Sequence, residues 1–258
     1  MGVITLLTDF GTADGYAGVL HGVILRINPQ ATVVDLSHAI TAQDVRGAAF
    51  ALFTAYSYFA PDTIHVAVVD PGVGSARRAI AVRSACGTFV APDNGLLSYV
   101  LARERVLEMV HLTEPRYWLA PLSATFHGRD VFAPVAAHLS LGVPLCALGV
   151  PLSDPMRFDV PRAQQFRDGS IRGEVLHVDR YGNLVTNVPG AWLVGGRDWR
   201  VRVAGREVRG VRNAYARVAA GELLTLVGSS GYLEIAVRDG NAAAALGANL
   251  GTEVRVFP

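Results

Sequence analysis

The strongest constraint on the fold of this chain is a change of rhythm along its length. Up to about residue 150, short runs rich in Val, Ile and Leu alternate with longer segments of helical period, the pattern of strands buried on both faces with helices packed outside. Val3 to Thr8 reads as a strand. Tyr16 to Ile27 reads as the helix after it, with Val19, Leu20, Val23, Ile24 and Ile27 on one stripe and Asn28-Pro29 closing it. "TVVDL" from Thr32, "TIHVAVVD" from Thr63, "AIAVRS" and "TFVAPD" read as further strands. Asp44 to Phe59, "NGLLSYVLARE" and "GRDVFAPVAAHLSLG" read as helical. The prediction is an α/β amino-terminal domain, residues 1–150, with a largely parallel sheet.

Between Gly149 and Gly169 the texture shifts to prolines at 151, 155 and 161 with mixed charge, and residues 151–168 read as a linker. Beyond it come "IRGEVLHVD", "NLVTNV", "WRVRVAG", "ELLTLVG", "YLEIAV" and "EVRVFP", short strands punctuated by Gly and Asn. They predict a smaller all-β domain, a barrel or sandwich, over 169–258, with "NAAAALG" as one short helix.

Bulk properties exclude several function classes. With 51% hydrophobic and 17% charged residues, 258 residues suffice for a sizeable core, and disorder is not expected. A formal net charge of +1 offers no field to gather nucleic acid or an anionic membrane. Two distant cysteines, Cys86 and Cys146, fit neither a disulfide scaffold nor a thiolate metal cluster, and point to a reducing cytoplasm. No leader and no apolar run long enough to span a bilayer is expected from the sequence.

Acidic residues recur just beyond the carboxyl ends of predicted strands, where α/β sheets keep their chemistry. Asp9 follows the first strand, with Asp14 five residues on; Asp70 follows the strand from Thr63; Asp93 and Asn94 follow "TFVAP". Each alone reads first as a turn residue or helix cap. Their shared edge of the sheet is what suggests a site. "DPGVG" lacks the spacing of a phosphate loop; Pro71 and the two glycines instead form a tight turn that fixes Asp70 and returns Arg77 or Arg78 to face it, with the other arginine solvated. His127, in "TFHGRDVFAP", sits at a predicted helix start beside Gly128. No His-x-x-x-His, Cys-x-x-Cys or Glu-x-x-His cluster appears, so no metal site is expected. In the second half, "VDRYGNLVTN" and "GSSGYLEIAVRDGNAA" read first as hairpin turns, and secondly as contacts for a small ligand with a flat ring and a zwitterionic end.

Taken together and in order, "TDFGTADGY", "VVDPGVGSARR", "APDNGLL", "FHGRD", "VDRYGNLVTN" and "GSSGYLEIA" resemble the S-adenosyl-L-methionine hydroxide adenosyltransferase family, relatives of fluorinase and chlorinase. The resemblance implies a two-domain subunit, a homotrimer with ligand bound between neighbouring subunits, and attack of water or hydroxide on ribose C5′ of S-adenosylmethionine to give adenosine and methionine. It implies a water-activating trio of Asp70, Arg77 and His127, with either Asp70 or His127 as the base. Asp9 then holds the ribose hydroxyls; Asp14, Asp179 and Ser229 hold the methionine end; Tyr181, Asn183 and the backbone near Ala242 hold the adenine. S-adenosylmethionine is the substrate, and no cofactor is expected.

Two departures set the chain apart from the halogenating relatives. Fluorinase carries a tyrosine where this sequence has Asp70, and a long insertion where this sequence has only "ACG"; a carboxylate beside the nucleophile repels a halide. Fluorinase also has Ser-Arg where this chain has Ser229-Ser230. Two other readings remain open from sequence: a nucleoside-binding or sensing protein on the same scaffold, which needs the adenosine contacts but not Asp70 with Arg77, and halide-dependent adenosyl transfer.

Overall fold

The computed structural model describes residues 2–193 and 198–258. It divides into a first unit ending at Val160 and a second beginning at Pro161. In the first unit the elements run β1 (Val3–Thr8), α1 (Tyr16–Ile27), β2 (Thr32–Ser37), α2 (Val45–Ala55), β3 (Ile64–Val68), β4 (Ala79–Ser84), β5 (Gly87–Pro92), α3 (Ser98–Arg103), β6 (Val106–Leu112), α4 (Ala133–Ser140) and β7 (Gly149–Pro151). The sheet order is β2-β1-β3-β5-β4-β6-β7. Pairings β1–β2, β1–β3 and β3–β5 are parallel; β4 with β5, β4 with β6 and β6 with β7 are antiparallel. Strands β2, β1, β3, β5 and β6 therefore run one way, and the predicted predominance of parallel strands holds.

Alternation along the strands sends side chains to two apolar layers. Ile4, Leu6, Val66 and Val68 pack under Leu20 and Ile24 of α1 and Val135 and Ala136 of α4. The opposite face carries Thr5, His65 and Phe89, with Tyr56 against Phe89, and Phe50 of α2 and Tyr99 of α3 meeting edge to face. Val19, expected on the buried stripe of α1, is instead 39% exposed, because the stripe that meets the sheet is narrower and centred on Leu20 and Ile24.

The helix expected over Asp44 to Phe59 is α2 plus one tighter turn, Tyr56–Tyr58. Asp44 is its cap, accepting the Gly47 N–H at 2.8 Å, and glycine suits position 47 because a Cβ there would meet the cap carboxylate. Strand β6 went unpredicted: "VLEMVHL" follows a helix ending without a glycine stop, and its antiparallel partner β4 defines it. Segment 151–168, expected as a linker, is fastened to the first unit along its first part. Leu152 donates its N–H to Met109 O (2.9 Å), Met156 N–H to Asp93 (2.7 Å) and Phe158 N–H to Ser98 Oγ (3.0 Å), while the Arg46 guanidinium covers the Phe158 ring.

The second unit is β-rich. Its strands are β8 (Gln164–Gln165), β9 (Ile171–Val178), β10 (Leu184–Pro189), β11 (Arg200–Val203), β12 (Arg206–Arg209), β13 (Val211–Arg212), β14 (Leu223–Val227), β15 (Tyr232–Val237) and β16 (Glu253–Phe257), with the predicted short helix α5 (Ala242–Leu246) before the last. They follow the order β12-β11-β16-β9-β10-β15-β14-β13, with β8 on β9. All pairings are antiparallel except β13 with β14. Ile171, Val175, Leu184, Val201, Leu233, Ile235, Val254 and Val256 form one core. Strands β8, β12 and β13 were not predicted: β8 lies inside the segment expected as a linker, and "REVRGVR" is too arginine-rich to show an apolar face. Among the described residues, no helix is long and apolar enough to cross a membrane.

One polar group sits in the heart of the first sheet. His65 is fully buried, stacked on Phe89 at 5.1 Å, with Nδ1 2.8 Å from Thr5 Oγ1, its neighbour in register on β1; Nε2 has no hydrogen-bond partner among the described residues. Burial pushes its pKa down to about 4. The unfolded chain thus binds a proton near pH 6.5 that the folded chain refuses until about pH 4, so stability falls as pH drops through that window. The expected loss is on the order of 1 kcal/mol per pH unit. Urea unfolding at pH 7 and pH 5 measures it, and His65→Phe flattens the acid limb; an unchanged slope would contradict this assignment.

Candidate active site

Because β1 and β3 are parallel neighbours with Thr8 beside Val68, Asp9 and Asp70 emerge at the same edge of the sheet. After Asp70 the chain turns at once: Val73 N–H returns to Asp70 O (3.2 Å) and Ser75 N–H to Gly72 O (3.1 Å). Gly74 has φ +78°, and a Cβ there would stand 2.4 Å from Ala124 O, so this position requires glycine. The turn brings Arg77 back onto Asp70. Arg77 Nε lies 2.9 Å from each carboxylate oxygen, and Nη2 donates to Oδ2 as well. Both side chains are nearly inaccessible, 6% for Asp70 and 9% for Arg77.

The same guanidinium reaches His127, with Nη2 2.9 Å from His127 Nδ1. Arginine has donors only, so Nδ1 accepts this bond and the neutral ring carries its proton on Nε2. Burial, and then the charge of Arg77, hold the His127 pKa below its ordinary value, against the opposing pull of Asp70 and Asp130. His127 caps a wide π-type turn, Gly128–Phe132, that runs into α4. Asp130, fully buried, anchors the turn by accepting the Ser123 N–H at 2.8 Å and pairing with Arg129.

Asp9, Asp70 and His127 line one cleft of about 260 Å³, with Phe10, Gln43, Pro71 and Phe126. Gln43 was not foreseen. It adopts φ +65° and donates its backbone N–H to Asp9 Oδ2 at 2.8 Å, which fixes the carboxylate. The aromatic wall was also missed: Phe10 and Phe126 meet edge to face at 5.7 Å, and Tyr16 stands 5.2 Å from Phe126. Asp14 lies on an exposed bend before α1, outside this cleft.

Asp93 and Asn94 share the edge but serve the frame. Asp93 is buried, pairs with Arg78 at 2.6 Å and accepts the Met156 N–H; Asn94 Nδ2 donates to Val69 O at 2.9 Å. Arg78, expected to be solvated if Arg77 faced Asp70, bridges Asp93 and Asp154 instead. Its charge meets two carboxylates that a local reading of the arginine pair did not consider.

In the second unit, Asp179, Tyr181, Asn183 and Ser229 line a larger open cleft of about 950 Å³. Asp179 is tied into the β9–β10 turn: Oδ1 accepts the N–H groups of Tyr181 and Asn183, both at 2.8 Å, and Oδ2 accepts Asn183 Nδ2 at 3.0 Å. Tyr181 is 75% exposed and presents its ring to the cleft. Gly182 (φ +84°) makes the turn possible and passes so close to Asn241 that a Cβ would collide with it. Ala242 is fully buried in the core and does not line the cleft, although Gly240 nearby does. Among the other lining residues not foreseen are Tyr215, whose hydroxyl donates to Glu234 Oε1, and Glu234, whose carboxyl burial raises above the usual range. Tyr215 lies in a weakly patterned loop, and Glu234 reads from sequence as an ordinary polar residue of a strand.

Comparison with known proteins gives the following. The profile of the SAM hydroxide adenosyltransferase N-terminal domain matches residues 4–149, and that of the C-terminal domain matches residues 173–255. A protein named (R)-S-adenosyl-L-methionine hydrolase from Salinispora tropica is 44% identical over 98% of this chain and 97% of its own length. One of the same name from Thermus thermophilus is 43% identical over 98% of this chain and 99% of its own. A fluorinase from an Actinoplanes species is more distant, 29% identical over 72% of this chain and 71% of its own. Among solved structures, an uncharacterized conserved protein from Thermotoga maritima superposes with a TM-score of 0.92 at 38% identity, covering 99% of this chain and all of that one.

The bond from Arg77 fixes both the proton location and the titration of His127. Nitrogen-15 NMR is expected to show the Nε2–H tautomer and a titration midpoint below the ordinary 6.5. Arg77→Met is expected to raise that midpoint by removing the neighbouring charge, and a midpoint that stays put would break the coupling argued here.

Proposed function

Because the chain belongs to the SAM hydroxide adenosyltransferase family, we propose that it is an S-adenosyl-L-methionine hydrolase that delivers water to ribose C5′ and releases adenosine and L-methionine. The observation that carries this reading is the buried chain Asp70–Arg77–His127 opening onto a cleft that also holds Asp9. A carboxylate retains acceptor sites beyond those Arg77 occupies, so Asp70 takes the proton of the attacking water. His127 Nδ1 is already engaged, which leaves its Nε2–H to orient the water oxygen. As the C5′–O bond forms, the C5′–S bond breaks and its electron pair neutralises the sulfonium. Holding water in line with that bond contributes up to about 7–11 kcal/mol of orientation. No step is routed through a metal or a cofactor. The Asp70 carboxylate also disfavours a halide in the nucleophile's place.

In this reading the first domain supplies water activation and, through Asp9, the ribose contacts. The second supplies adenine contacts from Tyr181 and Asn183 and, through Asp179 and Ser229, a seat for the methionine end, with Asp14 completing it. The subunits assemble as a homotrimer in which neighbouring chains contribute to one substrate. A reducing cytoplasm suits the two free cysteines, Cys86 and Cys146.

The test is incubation of purified protein with S-adenosylmethionine, both sulfonium epimers supplied separately, in oxygen-18 water with a chelator present. Adenosine labelled at the 5′ hydroxyl is expected; unlabelled adenosine would overturn the mechanism. Asp70→Asn is expected to slow turnover about a hundred- to ten-thousand-fold with nucleoside affinity nearly intact. A folded, fully active Asp70→Asn protein would reduce Asp70 to a turn residue.

For the assembly, sedimentation is expected to give a trimer. Mixing Asp9→Ala with Asn183→Ala chains is expected to restore part of the activity, and verified mixed trimers without any recovery would place each site within a single chain.

A further inference from the structure

Away from the cleft, three side chains far apart in sequence converge at the sheet edge. His21 comes from α1, Asp35 from the edge strand β2, and His38 from the residues just after β2. His21 Nε2 lies 2.7 Å and His38 Nε2 3.0 Å from the same oxygen, Asp35 Oδ1, and the three atoms all fall within 4.8 Å of one another. No member lines either cleft described above.

His38 sets this cluster apart from a surface ion pair. Its side chain is 4% exposed, and although Nε2 stands 3.0 Å from Asp35 Oδ1 it makes no hydrogen bond of good geometry among the described residues. A buried imidazole nitrogen left unsatisfied beside a carboxylate needs a partner that a hydrogen bond is not providing. Its other nitrogen is already held: Nδ1 lies 2.8 Å from Thr8 Oγ1. A metal-binding histidine is oriented in this way, with one nitrogen on an oxygen partner and the other free for the ion.

We propose that His21, Asp35 and His38 form a binding site for a divalent transition-metal ion of the zinc type. Two imidazoles and one carboxylate are a donor set that suits such ions, with a fourth position open to water at the exposed Asp35 side. Tetrahedral ligands at 2.0–2.1 Å stand about 3.3 Å apart, so Asp35 moves out from His21 by about 0.6 Å and from His38 by about 0.3 Å, while the two imidazole nitrogens settle at that same spacing from within 4.8 Å. Both are partly exposed and free to do so, while His38 is pinned. Binding selects the His38 tautomer in which Nδ1–H donates to Thr8 Oγ1.

The ion would act as a strut for the neighbouring cleft. Thr8 Oγ1 also accepts the Phe10 N–H at 3.2 Å, and the His38 carbonyl accepts the Gly11 N–H at 2.7 Å. The loop that carries Asp9 is thus fastened on both sides to His38. Joining α1 to β2 through the ion stiffens that loop without touching the reacting groups. Sequence spacing concealed the site, because its ligands come from a helix, a strand and a turn rather than from one local motif.

The experiment uses the full chain, stripped of metal and titrated with Co²⁺ and then Zn²⁺. Co²⁺ is expected to give visible absorption saturating at one ion per chain, displaced by Zn²⁺, and Zn²⁺ is expected to raise the melting temperature. His21→Ala and Asp35→Asn lie at partly exposed positions and keep the His38 anchor; each is expected to weaken binding by more than the about 10- to 100-fold that loss of an outer-shell partner costs. Each also removes the thermal shift. No saturable binding at micromolar metal overturns the proposal, as does one ion per chain bound with unchanged affinity in both variants.

Discussion

The buried pairing of Asp70 with Arg77 is the interaction on which the first unit's site depends. Removing two charges from water carries a desolvation penalty of several kcal/mol per ion, which mutual attraction offsets only when the geometry is good and the remaining hydrogen-bonding capacity is used. Here it is used. Arg77 meets both oxygens of Asp70 and spends a further N–H on His127. The surrounding backbone is built to hold that arrangement. Asp70 follows a fully buried strand, Gly74 lets the turn pass under Ala124, and Asp130 secures the segment that presents His127.

Two adjacent arginines at the start of β4 are used for opposite purposes, and strand geometry explains it. Successive side chains along an extended chain point to opposite sides. Arg77 therefore turns toward Asp70 and the cleft, and Arg78 toward Asp93 and the returning segment at Asp154. Each arginine meets a carboxylate at the end of a different strand, β3 for Arg77 and β5 for Arg78. The result is one ion pair bordering the cleft and one clamping the segment around Asp154.

Much of this was legible in the sequence, and the limits are physical. Strands buried on both faces announce themselves as apolar runs, so β1, β3, β4 and β5 were predicted with their ends nearly correct, and with them the edge on which Asp9 and Asp70 sit. Strand β6 and the arginine-rich β12 were not, because their identity comes from pairing partners rather than from their own pattern. Asp93 has the same sequence credentials as Asp70. Only the tertiary partners, a clamp arginine and the Met156 N–H, separate a framework acid from a cleft acid. Gln43 escaped notice because it contributes a backbone N–H, which no side-chain motif encodes.

The electrostatics of the cleft also bear on the proposed reaction. A sulfonium substrate is a cation whose charge disappears in the transition state, so an unpaired carboxylate beside it would stabilise the ground state more than the transition state and slow the chemistry. The arrangement avoids this. Asp70 is compensated by Arg77 at contact distance, His127 is held neutral by burial and by that same arginine, and Asp9 has one oxygen occupied by the Gln43 N–H. In the proposed reaction the nucleophile's side of the cleft, Asp70 with Arg77 and His127, would be a nearly neutral, directional set of donors and acceptors, suited to holding a water molecule rather than to attracting a cation. Affinity for the charged substrate then falls to groups remote from the reacting carbon. Such binding energy can be used to position C5′ against the water without being lost as the charge is annihilated.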